Sequence, residues 1–310
     1  MIVTVTLNPA LDKTAHVHRV RPGVLHRLQG VMIDAGGKGV NVSGVVSVLG
    51  GKTIATGFAG GTTGDELLMR LDERGISHDF VRTAGATRIN LKLIDDEGGL
   101  TEFNEPGAWV SPGEWQILEK KLYSLAAKDT LFVLSGSLPQ GLGADTYRNL
   151  CTALRGRKGA RVFVDADGEP LRQALLGGPD YVKPNRYELL QYFSAPPDTP
   201  EPRLVDFCRE LVSKGLGLAA LSMGDEGALF VTKAAAYRAP PLSVPVHSTV
   251  GAGDSMVAAL AYGLDVGLSP EQGMTLAVAA SAAAVTTPGT KPPDLALIKE
   301  LETKVELRQI

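Results

Sequence analysis

Residues 130–165 read TLFVLSGSLPQGLGADTYRNLCTALRGRKGARVFVD. Thr130–Ser135 and Arg161–Asp165 are short, nearly continuous apolar runs, and Ala144–Arg155 between them spaces its apolar residues as a helix does. Strand, helix and strand in so short a stretch form a βαβ unit with parallel strands, and strands apolar throughout belong to a sheet covered on both faces. The alternation continues outward. Ile2–Leu7, Lys52–Gly57, Tyr181–Lys183 and Leu218–Ser222 repeat the strand pattern, while Gly39–Leu49, Gly64–Arg74, Pro112–Ala127, Asp206–Lys214, Asp254–Asp265 and Pro270–Val285 repeat the helical one. The pattern predicts an α/β fold, a doubly wound, mainly parallel sheet with helices on both faces.

Two stretches depart from this rhythm. Thr14–Ile33 and Thr87–Phe103, the second with the turn Asp95–Gly99 in its middle, read as antiparallel strands. They are interleaved with the α/β elements instead of following them. The expectation is therefore a small β-sheet lid, its strands at about 14–33 and 87–103, on a single domain spanning residues 1–310. The proline-rich Ser194–Arg203 reads as a surface loop between helices.

Charge and cysteine usage narrow the class. Against 31 Lys and Arg stand 34 Asp and Glu, a formal net charge of −3 over 310 residues, with no stretch dense in cations. Nucleic acid and anionic membranes are thus not expected partners, and any anion must be held by a local site. No apolar run approaches the ~18 residues of a membrane span, and the first residues lack the pattern of a secretion signal. The only cysteines, Cys151 and Cys208, lie far apart and outside any C-x-x-C pattern, which fits a cytoplasmic protein without disulfides or a zinc site. His16 and His18 have no partner that would make them metal ligands, and the glycosylation triplet Asn41–Ser43 matters only in secreted chains.

Four segments carry chemistry. Ser248–Ser255, STVGAGDS, runs into an apolar helical stretch from Met256. Small residues before a helix let backbone N–H groups approach an anion, and Asp254 in the first turn can either take a proton from an attacking hydroxyl or simply cap the helix. Gly36-Gly37-Lys38-Gly39-Val40-Asn41 opens another helix with a cation and an amide, the means to hold a phosphate and sugar hydroxyls, although the same residues also make an ordinary glycine turn with a solvated lysine. At Lys183-Pro184-Asn185-Arg186-Tyr187-Glu188 the side chains of Asn185 and Glu188 share a helix start, where they suit either a hydrated magnesium ion or a capping box. Leu221–Ala228 is a strand and a glycine turn, read alone as a hairpin.

In this order and spacing the four segments resemble the ribokinase-like sugar kinases of the PfkB family, and the resemblance runs from Thr6 to about Ala284. Thr6–Asp12 (TLNPALD), Thr87–Asn90 (TRIN), Ser135–Pro139 (SGSLP) and Ser248–Asp254 are most similar to the branch that phosphorylates sugar phosphates. The branch includes kinases of fructose 1-phosphate, tagatose 6-phosphate and fructose 6-phosphate. Ser248 stands where free-sugar and nucleoside members usually carry Asp, and Thr87–Leu93 (TRINLKL) and Thr101–Gly107 (TEFNEPG) are most similar to the kinases of fructose 1-phosphate.

The resemblance implies an ATP- and Mg²⁺-dependent phosphotransferase in which Asp254 is the base and Gly251, Ala252 and Gly253 form an anion hole. It implies further that Asp12, Gly36, Gly37 and Asn41 contact the sugar, and that Lys38 and Arg88 hold its phosphate with help from Asn90 and Ser137. Arg88 is the more telling cation, since free-sugar kinases also have a lysine like Lys38. For the nucleotide it implies Lys183, Asn185, Ser222, Gly224, Gly227 and Thr249, with Ala280 and Ala283 along the adenine and Asn185 and Glu188 near magnesium. Lid-to-lid dimers occur in the family, so a homodimer through the lid is expected. A tagatose-6-phosphate or 6-phosphofructokinase activity is the same-scaffold alternative, and a non-catalytic sugar-phosphate sensor the alternative of another class. A dinucleotide-dependent dehydrogenase is excluded by the missing glycine fingerprint after the first strand.

Overall fold

The computed structural model describes residues 1–287 and 289–310. The chain opens with β1 (Ile2–Thr6), crosses into β2 (Ala10–Val17) and β3 (Gln29–Gly36), and returns through α1 (Lys38–Val48). Next come β4 (Thr53–Gly60), α2 (Gly61–Glu73), β5 (Val81–Thr83), β6 (Arg88–Asp95) and β7 (Leu100–Asn104). The central α/β run is α3 (Pro112–Leu125), β8 (Leu131–Ser135), α4 (Thr146–Arg155), β9 (Arg161–Asp165), α5 (Gly168–Leu176), β10 (Tyr181–Val182) and α6 (Arg186–Phe193). It is followed by α7 (Glu201–Ser213), β11 (Leu218–Ser222), β12 (Ala228–Thr232) and β13 (Ala236–Ala239). The last elements are α8 (Ala252–Val266), α9 (Pro270–Val285), α10 (Leu295–Glu302) and β14 (Arg308–Gln309).

Ten strands form the main sheet in the order β14-β13-β12-β11-β10-β9-β8-β1-β4-β5. From β5 to β11 every neighbour is parallel, and β12, β13 and β14 add an antiparallel edge. The expected α/β fold is thus observed, with the segment from 221 to 228 making the hairpin turn between β11 and β12. Alternate side chains of the strands enter two cores. Ile2, Val133, Phe163 and Phe230 pack with α1, α8 and α9 on one face, and Val3, Phe132, Val162 and Leu229 pack with α3, α4 and α7 on the other. Burying each such side chain contributes about 1.5–3 kcal/mol, which is why near-continuous apolarity reads as a two-sided sheet.

The small sheet has the order β3-β2-β6-β7. Each stretch forms the expected antiparallel pair, β2 with β3 and β6 with β7, while two details differ from the reading of 14–33 and 87–103. The first strand begins earlier, at Ala10, and residues 18–28 form a loop outside the ladder. Also, β2 and β6 pair in parallel, Ala10 opposite Arg88 through Val17 opposite Asp95. The chain leaves this sheet after β3, passes through α1, β4, α2 and β5, and re-enters it from the same end as before, so the two entering strands must run alike. Hydrophobic pattern reveals which face is buried, not the direction of a partner that far away in sequence.

Strand order reverses at β1, with β4 and β5 on one side of it and β8 to β11 on the other. Ligand sites of open α/β sheets lie outside the carboxyl ends of the strands at such a reversal. At those ends here stand Asn8, Ser135–Ser137, Asp165, Lys183 and Ser222.

Candidate functional site

Asp165 ends β9, is 1% exposed, and receives two ammonium groups on one oxygen: Lys38 Nζ lies 3.3 Å and Lys183 Nζ 3.4 Å from Oδ1. Lys38 reaches it from the first turn of α1, and Lys183 from the residue after β10. Gly37 makes the α1 entry sharp: its φ of 111° is open to glycine only, and a Cβ there would lie 2.8 Å from Thr6 Cγ2. Burial works to keep the Asp165 carboxyl neutral, but the two lysines outweigh it and hold its pKa below the usual value. Burial likewise opposes the charge on Lys38, and the carboxyls of Asp165, Asp254 and Glu188 overcome it, so its pKa stands above the ordinary lysine value.

Asp254 lies in the first turn of α8, as read from the motif, and is 7% exposed. Asn41 Nδ2 donates to its Oδ2 at 2.7 Å, which brings together two residues 213 positions apart. Burial first, and then the Asp165 charge, push its pKa from 3.8 up to about 6. Gly251 caps α8 in the left-handed region at φ 84°, with nothing within 4 Å of where a Cβ would sit and no side-chain cap on the helix. The first N–H groups of α8 therefore have no side chain bonded to them at the cap and are suited to an anion. Lys183 packs against this turn, its Nζ 3.2 Å from the Cβ position of Gly253.

A second cluster sits on the small sheet. Asp12 on β2 accepts from Asn90 Nδ2 at 3.0 Å and from Lys92 Nζ at 2.9 Å, both on β6, and its carboxylate fills the space a side chain at Gly36 would need. Arg88, on the same face of β6, donates from Nη1 to Glu105 O at 3.0 Å and from Nη2 to Ser137 Oγ at 3.5 Å. Asn8 Nδ2 donates to the same hydroxyl at 3.2 Å, and Asn8, Thr87 and Arg88 line one concavity. Burial lowers the Arg88 pKa, with the carboxylates of Asp12 and Glu105 acting against the shift.

Asn185 and Glu188 form a capping box at the start of α6: Asn185 Oδ1 accepts from Glu188 N at 2.8 Å, and Glu188 Oε2 accepts from Asn185 N at 2.8 Å. Of the two readings left open by the sequence, the cap is realised, and it leaves lone pairs on both side chains. Burial raises the Glu188 pKa despite Lys183 and Lys38. Asn185 also bridges to Ser222 at the end of β11, and Gly224 and Gly227 bound the adjacent turn. Thr249 is exposed in the loop before α8. Ala280 and Ala283, expected along an adenine, are instead 0% exposed within the core built by α8 and α9, so neither faces an opening. Their small size serves close helix packing, a use that sequence alone does not distinguish from lining a pocket.

Several side chains at these centres were not singled out by the sequence. Asp165 carried one available signal, a carboxylate ending a parallel strand of apolar residues. Lys92 carried none: it falls on the polar phase of the alternation in TRINLKL, where a lysine is ordinary. Tyr147 had none: it is fully buried and donates its hydroxyl to Gly136 O at 3.0 Å, bracing the turn that presents Ser137.

The sequence profile of the pfkB family carbohydrate kinases matches residues 5–296. The 1-phosphofructokinase of Borreliella burgdorferi is 38% identical over 284 residues, covering 91% of each chain. The 1-phosphofructokinase of Xanthomonas campestris pv. campestris is 41% identical over 287 residues, 90% of this chain and 89% of that one. Among solved structures, phosphofructokinase-2 from Escherichia coli in complex with substrates and products superposes with a TM-score of 0.93 at 31% identity, covering 98% of both chains.

The raised pKa of Asp254 makes a prediction about stability. Its folded value lies above its unfolded one, so the stabilisation associated with its proton is present below about pH 4 and is lost as pH rises through about 6. Asp254→Asn should therefore melt at or above the parent temperature at pH 8, with a smaller advantage at pH 4.5. Thermal melts at both values test this; a lower melting temperature at pH 8 would contradict the assignment of a penalised buried carboxylate.

Proposed function

The chain belongs to the pfkB family of carbohydrate kinases, and from that premise we propose that it transfers the γ-phosphoryl group of ATP to the C6 hydroxyl of fructose 1-phosphate, giving fructose 1,6-bisphosphate. It is a phosphotransferase. The observation that carries the finer reading is Asp254, a buried carboxyl beside an anion-accepting helix start and two lysines, with a pKa near 6. A silent sensor has no use for such a base.

In this reading the C6 oxygen attacks the γ-phosphorus in line, the bond from phosphorus to the bridging oxygen of ADP breaks, and the proton passes to Asp254. Asn41 orients the carboxylate. The N–H groups of Gly251, Ala252 and Gly253 stabilise charge on the transferring oxygens, and Lys183 holds the nucleotide phosphates from beneath. Thr249, Ser222, Gly224 and Gly227 border the nucleotide. Magnesium suits the remaining oxygens: Glu188 and Asn185 keep lone pairs, and Asp165 Oδ2 is buried without a hydrogen-bond partner among the described residues. When bound, the ion neutralises charge on the phosphates. At the other end Asp12, Asn41 and the backbone of Gly36 and Gly37 meet sugar hydroxyls, while Arg88 and Lys38, with Asn90 and Ser137, meet the substrate phosphate.

We read residues 1–310 as one domain whose small sheet closes over the sugar and excludes water. Val24, Leu25, Val31, Leu100 and Phe103 of that sheet and its loop are exposed, at 57, 77, 47, 48 and 55%, and a second copy of the sheet would cover them as a homodimer. The cytoplasm suits the unpaired buried thiols of Cys151 and Cys208. Among the described residues no helix is long and apolar enough to cross a membrane.

ATP consumption with magnesium, measured against fructose 1-phosphate, tagatose 6-phosphate, fructose 6-phosphate and fructose, tests the substrate. The expected result is a kcat/KM at least about tenfold higher for fructose 1-phosphate. Preference for a 6-phosphate would favour the alternative suggested by the likeness to phosphofructokinase-2. As pH falls through about 6, Asp254 takes up a proton and kcat/KM should drop about tenfold per unit. Asp254→Asn should lower kcat by about a thousandfold; near-normal turnover would remove it as the base. Arg88→Ala should raise KM for the phosphosugar by about tenfold or more while leaving that for ATP in place, and an unchanged KM would put the phosphate elsewhere. Sedimentation equilibrium should give twice the monomer mass for the parent and the monomer mass for Leu25→Glu/Phe103→Glu; a parent monomer would exclude the dimer.

A further inference from the structure

Asp12 and Lys92 are a buried ion pair inside the small sheet, 4% and 6% exposed, with Lys92 Nζ donating to Asp12 Oδ2 at 2.9 Å. Asn90 Nδ2 donates to the other oxygen at 3.0 Å, and the backbone of Gly36 closes against the carboxylate so tightly that a Cβ there would lie 2.5 Å from Asp12 Cγ. Both oxygens are therefore held by β6, and rotation of the carboxylate is blocked by β3. An apolar pair of similar volume would avoid the desolvation cost of two charges and stabilise the sheet as well or better. What only the polar pair supplies is a hydrogen-bonding carboxylate held in one orientation in a buried place.

We propose that Lys92 is the positioning residue for sugar recognition. It and Asn90 each occupy one lone pair of Asp12, and the lone pair left on each oxygen accepts a sugar hydroxyl. Lys92 and Arg88 lie four residues apart on one face of β6, so a single strand carries both the substrate-phosphate contact and the clamp on the hydroxyl contact. Any shift of β6 moves the two together, which preserves the distance between the groups that recognise the two parts of the sugar.

This inference rests on Asp12 as a sugar ligand, and the experiment separates the two. Lys92→Met should raise KM for fructose 1-phosphate by about tenfold or more, the scale of a lost charge-assisted hydrogen bond, with KM for ATP unchanged and kcat little affected. Lys92→Arg should restore most of the affinity. Lys92→Met/Asp12→Asn removes both charges, which keeps the test open if the single methionine variant does not fold, and it should be no worse than Asp12→Asn alone. Two outcomes would sink the role of Lys92: an unchanged sugar KM in Lys92→Met, or a double variant whose loss is the sum of two separate losses. If Asp12→Asn itself leaves the sugar KM unchanged, the reading of Asp12 fails and takes this inference with it.

Discussion

Everything at the carboxyl edge of the sheet is organised by one fully buried carboxylate, Asp165, between the ammonium groups of Lys38 and Lys183. Buried charges persist only in mutual company. Around this centre stand three acidic side chains, Asp165, Asp254 and Glu188, against the two lysines. Burial first, and the Asp165 charge as well, hold the carboxyls of Asp254 and Glu188 above their usual range, while the two lysines hold that of Asp165 below it. A carboxyl poised to change its protonation near pH 6 is thus a consequence of burying Asp254 beside Asp165.

The arrangement also constrains the backbone. Lys38 reaches Asp165 only because Gly37 turns α1 sharply against β1, and Lys183 reaches it only because β10 ends where it does beside β9. Gly136 N donates to Asp165 O at 3.0 Å, so the turn bearing Ser137 hangs from the same strand end. Through Ser137 the chain of contacts passes to Arg88 and Asn8, and so to the small sheet. The small sheet repeats the principle with a second buried pair, Asp12 and Lys92. Each pair supplies a fixed, charged group where an apolar core would supply only stability.

Much of the fold was legible in the chain because the information is local. A strand buried on both faces must be apolar along its length, and a helix must space its apolar residues, so the alternation of the two declared the main sheet. The glycine motifs were legible for a similar reason: a sharp entry into α1 or α8 leaves glycine as the residue of choice. Asp254 could be placed in the first turn of its helix, but its competition between cap and base could not be weighed without knowing what lies beside it.

Tertiary structure alone decided which distant residues share one low-dielectric space. Asp165 looks like the polar end of a strand, and Lys92 like a lysine on a half-buried strand, until packing removes water from both and sets cations or carboxylates against them. The parallel pairing of β2 with β6 depends on where the chain re-enters the small sheet, and the burial of Ala280 and Ala283 depends on the helix packed against them. Sequence by itself determined the periodicities and turns, since these express the local geometry of the backbone and the cost of exposing apolar surface. The site's charges, orientations and shifted proton affinities were set by contacts between residues up to 213 positions apart, because electrostatic energy depends on separation and burial in space and has no period along the chain.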